Sequence, residues 1–202
     1  MPKVFYRWTR DLHLYVGLFA SPFVLVYAVS AILLNHAYPS PPASAQLVPR
    51  TVAIHVTDGD DGLSVARQVR EQVGVRGEIG YVNRKPQGHT LSFPIETPGR
   101  RTSVKVDLAA GTATLREQAT GLADATIYLH KMPGPHNVKI RGNWIFTRLW
   151  SWLADGTVYA ILFLSASGVY MWVVIRAARR YGLLFLGGGT LSFAAMVFAI
   201  VA

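Results

Sequence analysis

With 202 residues, 51% of them hydrophobic and 15% charged, the chain has room for one small soluble domain plus membrane spans. The formal net charge of +9 would suit nucleic acid, but the basic residues gather at the ends of apolar stretches, which excludes that partner in favour of a membrane. The absence of cysteine excludes disulfides, iron–sulfur clusters, thiolate zinc sites and covalently attached haem.

In chain order, residues 1–10 read as a basic cytoplasmic tail with Lys3, Arg7 and Arg10, and residues 11–37 as a transmembrane helix. Leu14 to Asn35 runs 22 residues without a charge. At about 1.5 Å per residue that is enough for a bilayer core of about 30 Å. Ala43-Ser44-Ala45 resembles a signal-peptidase site, but the apolar stretch is too long for a signal peptide, so the segment reads as an anchor. Pro22 should kink the helix, and Gly17, Ala20, Ser21, Ala28, Ser30 and Ala31 allow close approach of another helix. Pro39, Pro41 and Pro42 then stop it.

Residues 38–142 read as an α+β module with a return loop, only mildly basic between Ser40 and Gly142 with 13 basic and 9 acidic side chains. Val52 to Val56 is a strand candidate. Leu63 to Val73 places Leu63, Val65, Ala66, Val69 and Val73 at helical spacing, with Asp60 or Asp61 as cap. Glu78 to Asn83, His89 to Pro94, Thr102 to Asp107 and Thr112 to Arg116 alternate as strands, separated by Lys85-Pro86-Gln87-Gly88, Thr97-Pro98-Gly99 and the Asp107–Gly111 turn. One helix followed by an antiparallel meander should result. Its expected core is Leu63, Val69, Val73, Ile79, Val82, Leu91, Phe93, Val104 and Val106.

Residues 143–176 read as an interfacial segment running into a second span. Trp144, Phe146, Trp150 and Trp152 form an aromatic belt, and Arg148 and Asp155, seven apart, share a helix face where they could pair. Thr157 to Ile175 is free of charge over 19 residues. Residues 177–182 form a cytoplasmic loop, with Arg176, Arg179 and Arg180 around it, and residues 183–202 a third transmembrane helix. Both basic clusters imply the same topology: N-terminus inside, module and C-terminus outside. The architecture is thus an α-helical integral membrane protein of three transmembrane helices with a small inserted α+β module.

Three short motifs carry a family resemblance. Arg10-Asp11-Leu12-His13-Leu14-Tyr15-Val16-Gly17-Leu18 opens the first span, Leu129-His130-Lys131 precedes the second, and Leu164-Ser165-Ala166-Ser167-Gly168-Val169-Tyr170-Met171-Trp172 lies near its end. On these the chain resembles the PepSY-associated transmembrane helix family, and the helix-plus-meander module resembles a single PepSY domain. The resemblance implies a bacterial inner-membrane protein with a periplasmic module. It also implies kinship with reductases of iron–siderophore uptake, some of which hold b-type haem between histidines. The chain differs from larger members in having three spans rather than four or more.

Six histidines are available: His13, His36, His55, His89, His130 and His136. A bis-imidazole haem needs two rings facing one another. His13 and His36 are 23 residues apart in the sequence. That is about 35 Å if helical, too far to share a haem. His36, at the outer end of the first span, with His130 or His136 as partner, is the candidate ligand set for haem or another metal; Met132 is a weaker axial candidate. His13 would need a histidine from a second subunit or a homodimer mate. His55 and His89 read as surface residues. No catalytic residue is identified: the chain has no G-x-S-x-G, H-E-x-x-H or phosphate-cradling loop. Asp107 to Thr114 reads as a turn rather than a flavin-attachment site, and Asp58, Asp60 and Asp61 as helix-capping acids rather than a calcium loop. Two functions follow as expectations. One is a haem-linked electron-transfer component with a periplasmic redox partner. The other is an accessory subunit docked among other membrane subunits in the lipid bilayer.

Overall fold

The structure, a computed structural model, describes residues 3–36, 48–56, 61–85, 89–132, 142–175 and 179–201. It divides into two compact units, one of Met1–Pro22 with Gly156–Ala202 and one of Phe23–Asp155. The division falls inside two long helices, α1 (Lys3–Asn35) and α4 (Ile145–Ile175).

The first unit holds the start of α1, the second part of α4 and helix α5 (Arg179–Val201). All three helices are long and apolar enough to cross a membrane. None of the residues of α5 is buried, and Phe185, Phe193 and Ile200 are each more than 70% exposed. So many exposed large apolar side chains call for apolar surroundings, lipid or other helices, rather than water. Within this unit α1 and α4 touch through Phe5 and Tyr170, whose rings meet edge-on at 5.5 Å, and at Gly17, where a Cβ would stand 3.6 Å from Leu164.

The second unit contains the α+β module. Its sheet has the order β1-β6-β5-β4-β2, all antiparallel, with β3 also on β4. The strands are β1 (Arg50–Ala53), β2 (Glu78–Ile79), β3 (Asn83–Arg84), β4 (Thr90–Thr97), β5 (Arg100–Asp107) and β6 (Thr112–Ala119). Strict alternation along β5 buries Thr102, Val104 and Val106, and the register sets them beside Ile95, Phe93 and Leu91 of β4. Helix α2 (Gly62–Val73) covers this face with Val65, Ala66, Val69 and Val73. The expected α2 core residues and the sheet residues Ile79, Leu91, Phe93, Val104 and Val106 are buried as read from sequence, while Leu63 and Val82 pack at the margin. Ile54, Ile95, Ala113 and Leu115 complete the core.

Local chemistry explains the boundaries. Asp61 caps α2 by accepting from the Leu63 and Ser64 backbone N–H groups, at 3.1 and 3.2 Å. Gly74, at φ 70°, ends α2 in the left-handed conformation that a glycine adopts without cost. Asp107 turns the β5–β6 hairpin by accepting from the Ala109 and Ala110 N–H groups. The Glu78–Asn83 strand read from sequence is broken into β2 and β3. Gly80 N–H still donates to the Pro94 carbonyl at 2.9 Å, but Pro94 has no N–H to donate back, so the ladder is interrupted there. The first strand begins two residues earlier than expected and pairs with β6, which places it at the far edge of the sheet.

Two further features depart from the sequence reading. Residues Leu122–Lys131 form helix α3, which was not anticipated. Its N-cap Gly121 makes no side-chain cap bond and none of its residues is fully buried, so neither a capping motif nor a strong apolar stripe marked it. Arg148 also donates to the Gly142 carbonyl at 3.2 Å instead of pairing with Asp155.

Candidate functional site

Each unit contains one histidine held by a serine of a neighbouring helix. In the first unit, His13 of α1 places Nδ1 2.7 Å from Ser167 Oγ of α4. Ser167 is buried, and its hydroxyl donates to the Phe163 carbonyl at 2.6 Å. A hydroxyl has one proton to give. When that proton is on Phe163, Nδ1–H of His13 donates to Ser167 and Nε2 is the free acceptor; when the hydroxyl donates to His13 instead, the tautomer is reversed. Gly168 provides the space, since a Cβ there would come within 3.8 Å of His13 Cε1. Two of the three sequence motifs therefore meet at this pair.

The second unit repeats the device. Ser30, fully buried on α1, donates to the Tyr27 carbonyl at 2.8 Å and lies 2.6 Å from His130 Nδ1 of α3. The same two arrangements are open to this pair, and the one in which Nδ1–H donates to Ser30 leaves Nε2 as the acceptor. Aromatic rings wall this site. Tyr27 meets the His130 ring at 5.5 Å and Trp150 at 6.2 Å, and Phe23 lies 6.4 Å from Trp150. Trp150 is fixed by donating its indole N–H to the Leu129 carbonyl at 2.9 Å. His130 is thus half-buried, oriented and wrapped in apolar surface.

The remaining histidines are placed differently. His36 is exposed, and its Nδ1 lies 3.0 Å from the Ile32 carbonyl, which can only accept. His36 therefore also presents Nε2. Six residues of helix separate it from Ser30, about 9 Å of rise and about 600° of turn, so it leaves α1 some 120° from the face that holds His130. His55 and His89 are exposed, and Gln72 brackets His55 by bonding its backbone N–H and carbonyl. Met132 follows α3 directly. His136 lies outside the described residues.

Among the described residues no group of three or more His, Cys, Asp or Glu side chains gathers round one point. The metal-binding chemistry on offer is that of separate imidazoles. An imidazole anchored through Nδ1–H with a lone pair on Nε2 is the form that ligates haem iron, and the anchoring bond sets ring orientation and basicity. His130 fits that requirement best, because the Tyr27 ring stands edge-on to it at 5.5 Å with Trp150 behind Tyr27. The serines were not recognisable from sequence as histidine partners. Ser30 and His130 are 100 residues apart and His13 and Ser167 are 154 apart. The available signal was that a serine hydroxyl inside an apolar span needs a partner.

A second polar cluster joins the module to α4. The Asn143 side chain accepts from Ile79 N–H at 3.0 Å and from Arg70 at 3.2 Å, and donates to the Ile79 carbonyl at 2.9 Å. Beside it the buried Glu78 carboxylate accepts from Gly142 N–H at 2.8 Å. Asn143 thus pairs with β2 much as another strand would. Tyr128 of α3 donates to the Glu96 carbonyl at 3.4 Å, and burial, with lesser contributions from Glu78 and Glu96, pushes its phenol pKa well above the ordinary value. Compared with family models, curated proteins and solved structures, the chain matches none.

Proposed function

We propose that the chain is a PepSY-type inner-membrane protein that carries electrons through a b-type haem near the outer face of the membrane. The observation that carries this reading is the Ser30–His130 pair, in which Ser30 Oγ holds Nδ1 at 2.6 Å with the Tyr27 ring edge-on to the imidazole. His130 would be one axial ligand, with His136 as the second; His36, the other candidate read from sequence, leaves α1 some 120° from the face that holds His130. Bound there, the haem would supply one-electron transfer between a membrane donor and a periplasmic redox partner. In this reading Ser30 accepts the Nδ1–H of His130 and sets its angle, with Tyr27 edge-on to the ring and Trp150 behind Tyr27. His13, held in the same way by Ser167, would serve a further haem only with a histidine from another subunit or a homodimer mate. The positive flanks support an N-terminus inside and a periplasmic module.

A second reading is a non-redox accessory subunit. What favours it is α5, whose apolar surface is uncovered along its length and suits partner helices as well as lipid. The deciding experiment is a reduced-minus-oxidised absorption spectrum of full-length protein purified from haem-sufficient cells. A sharp b-type band is expected; its absence would leave the accessory reading as the better account.

A further inference from the structure

Helix α2 is shorter than the sheet face it covers. Its 12 residues span about 18 Å, whereas the 8 residues of β4, β5 and β6 span about 26 Å. Past Gly74 the core-side face is therefore uncovered, and a cleft of about 610 Å³ opens there. Three guanidinium groups line it: Arg50 of β1, Arg76 after α2 and Arg100 of β5. The register explains why they converge. Arg50 lies opposite the buried Leu115, and Arg100 is two residues from the buried Thr102, so both side chains leave the sheet on the core side.

The cleft contains one carboxylate, Glu117, which pairs with Arg100 at 2.9 Å. Arg50 uses one N–H on the Val73 carbonyl at 3.2 Å, and its other donors have no partner among the described residues. Arg76 is exposed and makes no ion pair among the described residues. Three cations against one anion leave an excess of two positive charges, over a floor made by Val73, Thr102 and Leu115 with Val75 beside it. Such a lining suits a ligand with an anionic head and an apolar body.

The position of the cleft identifies the source of that ligand. It lies at the end of the module from which the chain leaves for its helices. Ala119 ends β6 there, Thr120 N–H donates to the Gly99 carbonyl, and α3 follows from Leu122. Arg70, one turn before the end of α2, bonds Asn143 two residues ahead of α4. The cleft thus opens at the same end of the strands from which the chain leaves the module for its helices, the end that would face the headgroups of a bilayer those helices cross. We infer that the Arg50–Arg76–Arg100 cleft binds the phosphate of an anionic phospholipid headgroup, with the adjoining valines against its glycerol and upper acyl chain. This inference is independent of haem.

The test uses the full-length protein in mild detergent, offered equal amounts of phosphatidylglycerol and phosphatidylcholine, with retained lipid counted by native mass spectrometry. The wild type should retain phosphatidylglycerol by about tenfold over phosphatidylcholine. Arg76→Gln should reduce that preference and Arg76→Gln/Arg100→Gln should bring it to parity. Arg116→Gln, on the opposite face of β6, should leave it unchanged. Arg76 makes no hydrogen bond or ion pair among the described residues, so the single variant reads binding and not folding. Equal retention of the two lipids by the wild type, or an undiminished preference in the double variant, would overturn the inference. A parallel arm adds inorganic phosphate alone. If phosphate raises the unfolding temperature of the wild type but not of the double variant, and phosphatidylglycerol is not preferred, the cleft takes a soluble anion and the headgroup assignment fails.

Discussion

Replacing Asn143 with Ala should loosen the β2 edge of the sheet without disturbing the core. The Asn143 amide satisfies both backbone groups of Ile79, a residue only 1% exposed, and also accepts from Arg70. A buried backbone group left without its partner costs about 1–3 kcal/mol. Two such groups at a sheet edge, where water can partly enter, should cost about 3 kcal/mol together. That is about a hundredfold increase in local opening. Hydrogen–deuterium exchange of full-length protein should show it as faster exchange in peptides covering 78–84 and their β4 partners, with β5–β6 little changed. Asn143→Asp keeps the acceptor for Ile79 N–H but loses the donor to its carbonyl, so about half the effect should remain. If exchange at β2 in Asn143→Ala stays within about threefold of wild type, Asn143 does not act as the partner of that edge.

Val69→Asp should unfold the module, because Val69 is fully buried beneath the sheet and an unpaired carboxylate there costs several kcal/mol; loss of protease resistance between the spans would report it. Alkaline pH should destabilise the module through Tyr128. Its folded pKa is raised, so its contribution is complete below the ordinary tyrosine value of about 10 and is lost as pH rises above it. Tyr128→Phe should remove that component of an alkaline unfolding curve, and an unchanged curve would refute it. Reporter fusions after Arg116 and after Arg180 should read outside and inside respectively, and the reverse pattern would overturn the topology.

The fold was legible where physical signals are local. The spans announced themselves by length and lack of charge, α2 by its Val65, Ala66, Val69 and Val73 spacing, and the β4–β5–β6 meander by alternation between turn residues. Signals that depend on distant partners were silent. Helix α3 lacks a cap and a buried stripe, and the pairing of β1 with β6 joins residues more than 55 positions apart. The histidine–serine pairs were legible in their residue types but not in their arrangement. His13 and His130 stood out as imidazoles at span ends, yet what orients them is a pair of serines whose sequence role looked like close helix packing. His36 sat on the correct helix, but helical phase turns it away from the Ser30 face that holds His130. The basic cleft escaped notice because Arg50, Arg76 and Arg100 converge only through sheet register and the early end of α2.

The central claim, that His130 is a haem ligand held by Ser30, is tested most directly by haem content. Full-length wild type, His130→Ala and His55→Ala would be purified side by side from haem-sufficient cells and assayed by pyridine haemochrome against protein concentration. The account predicts haem in the wild type and in His55→Ala, and its loss from His130→Ala. Equal haem in His130→Ala and wild type would contradict it.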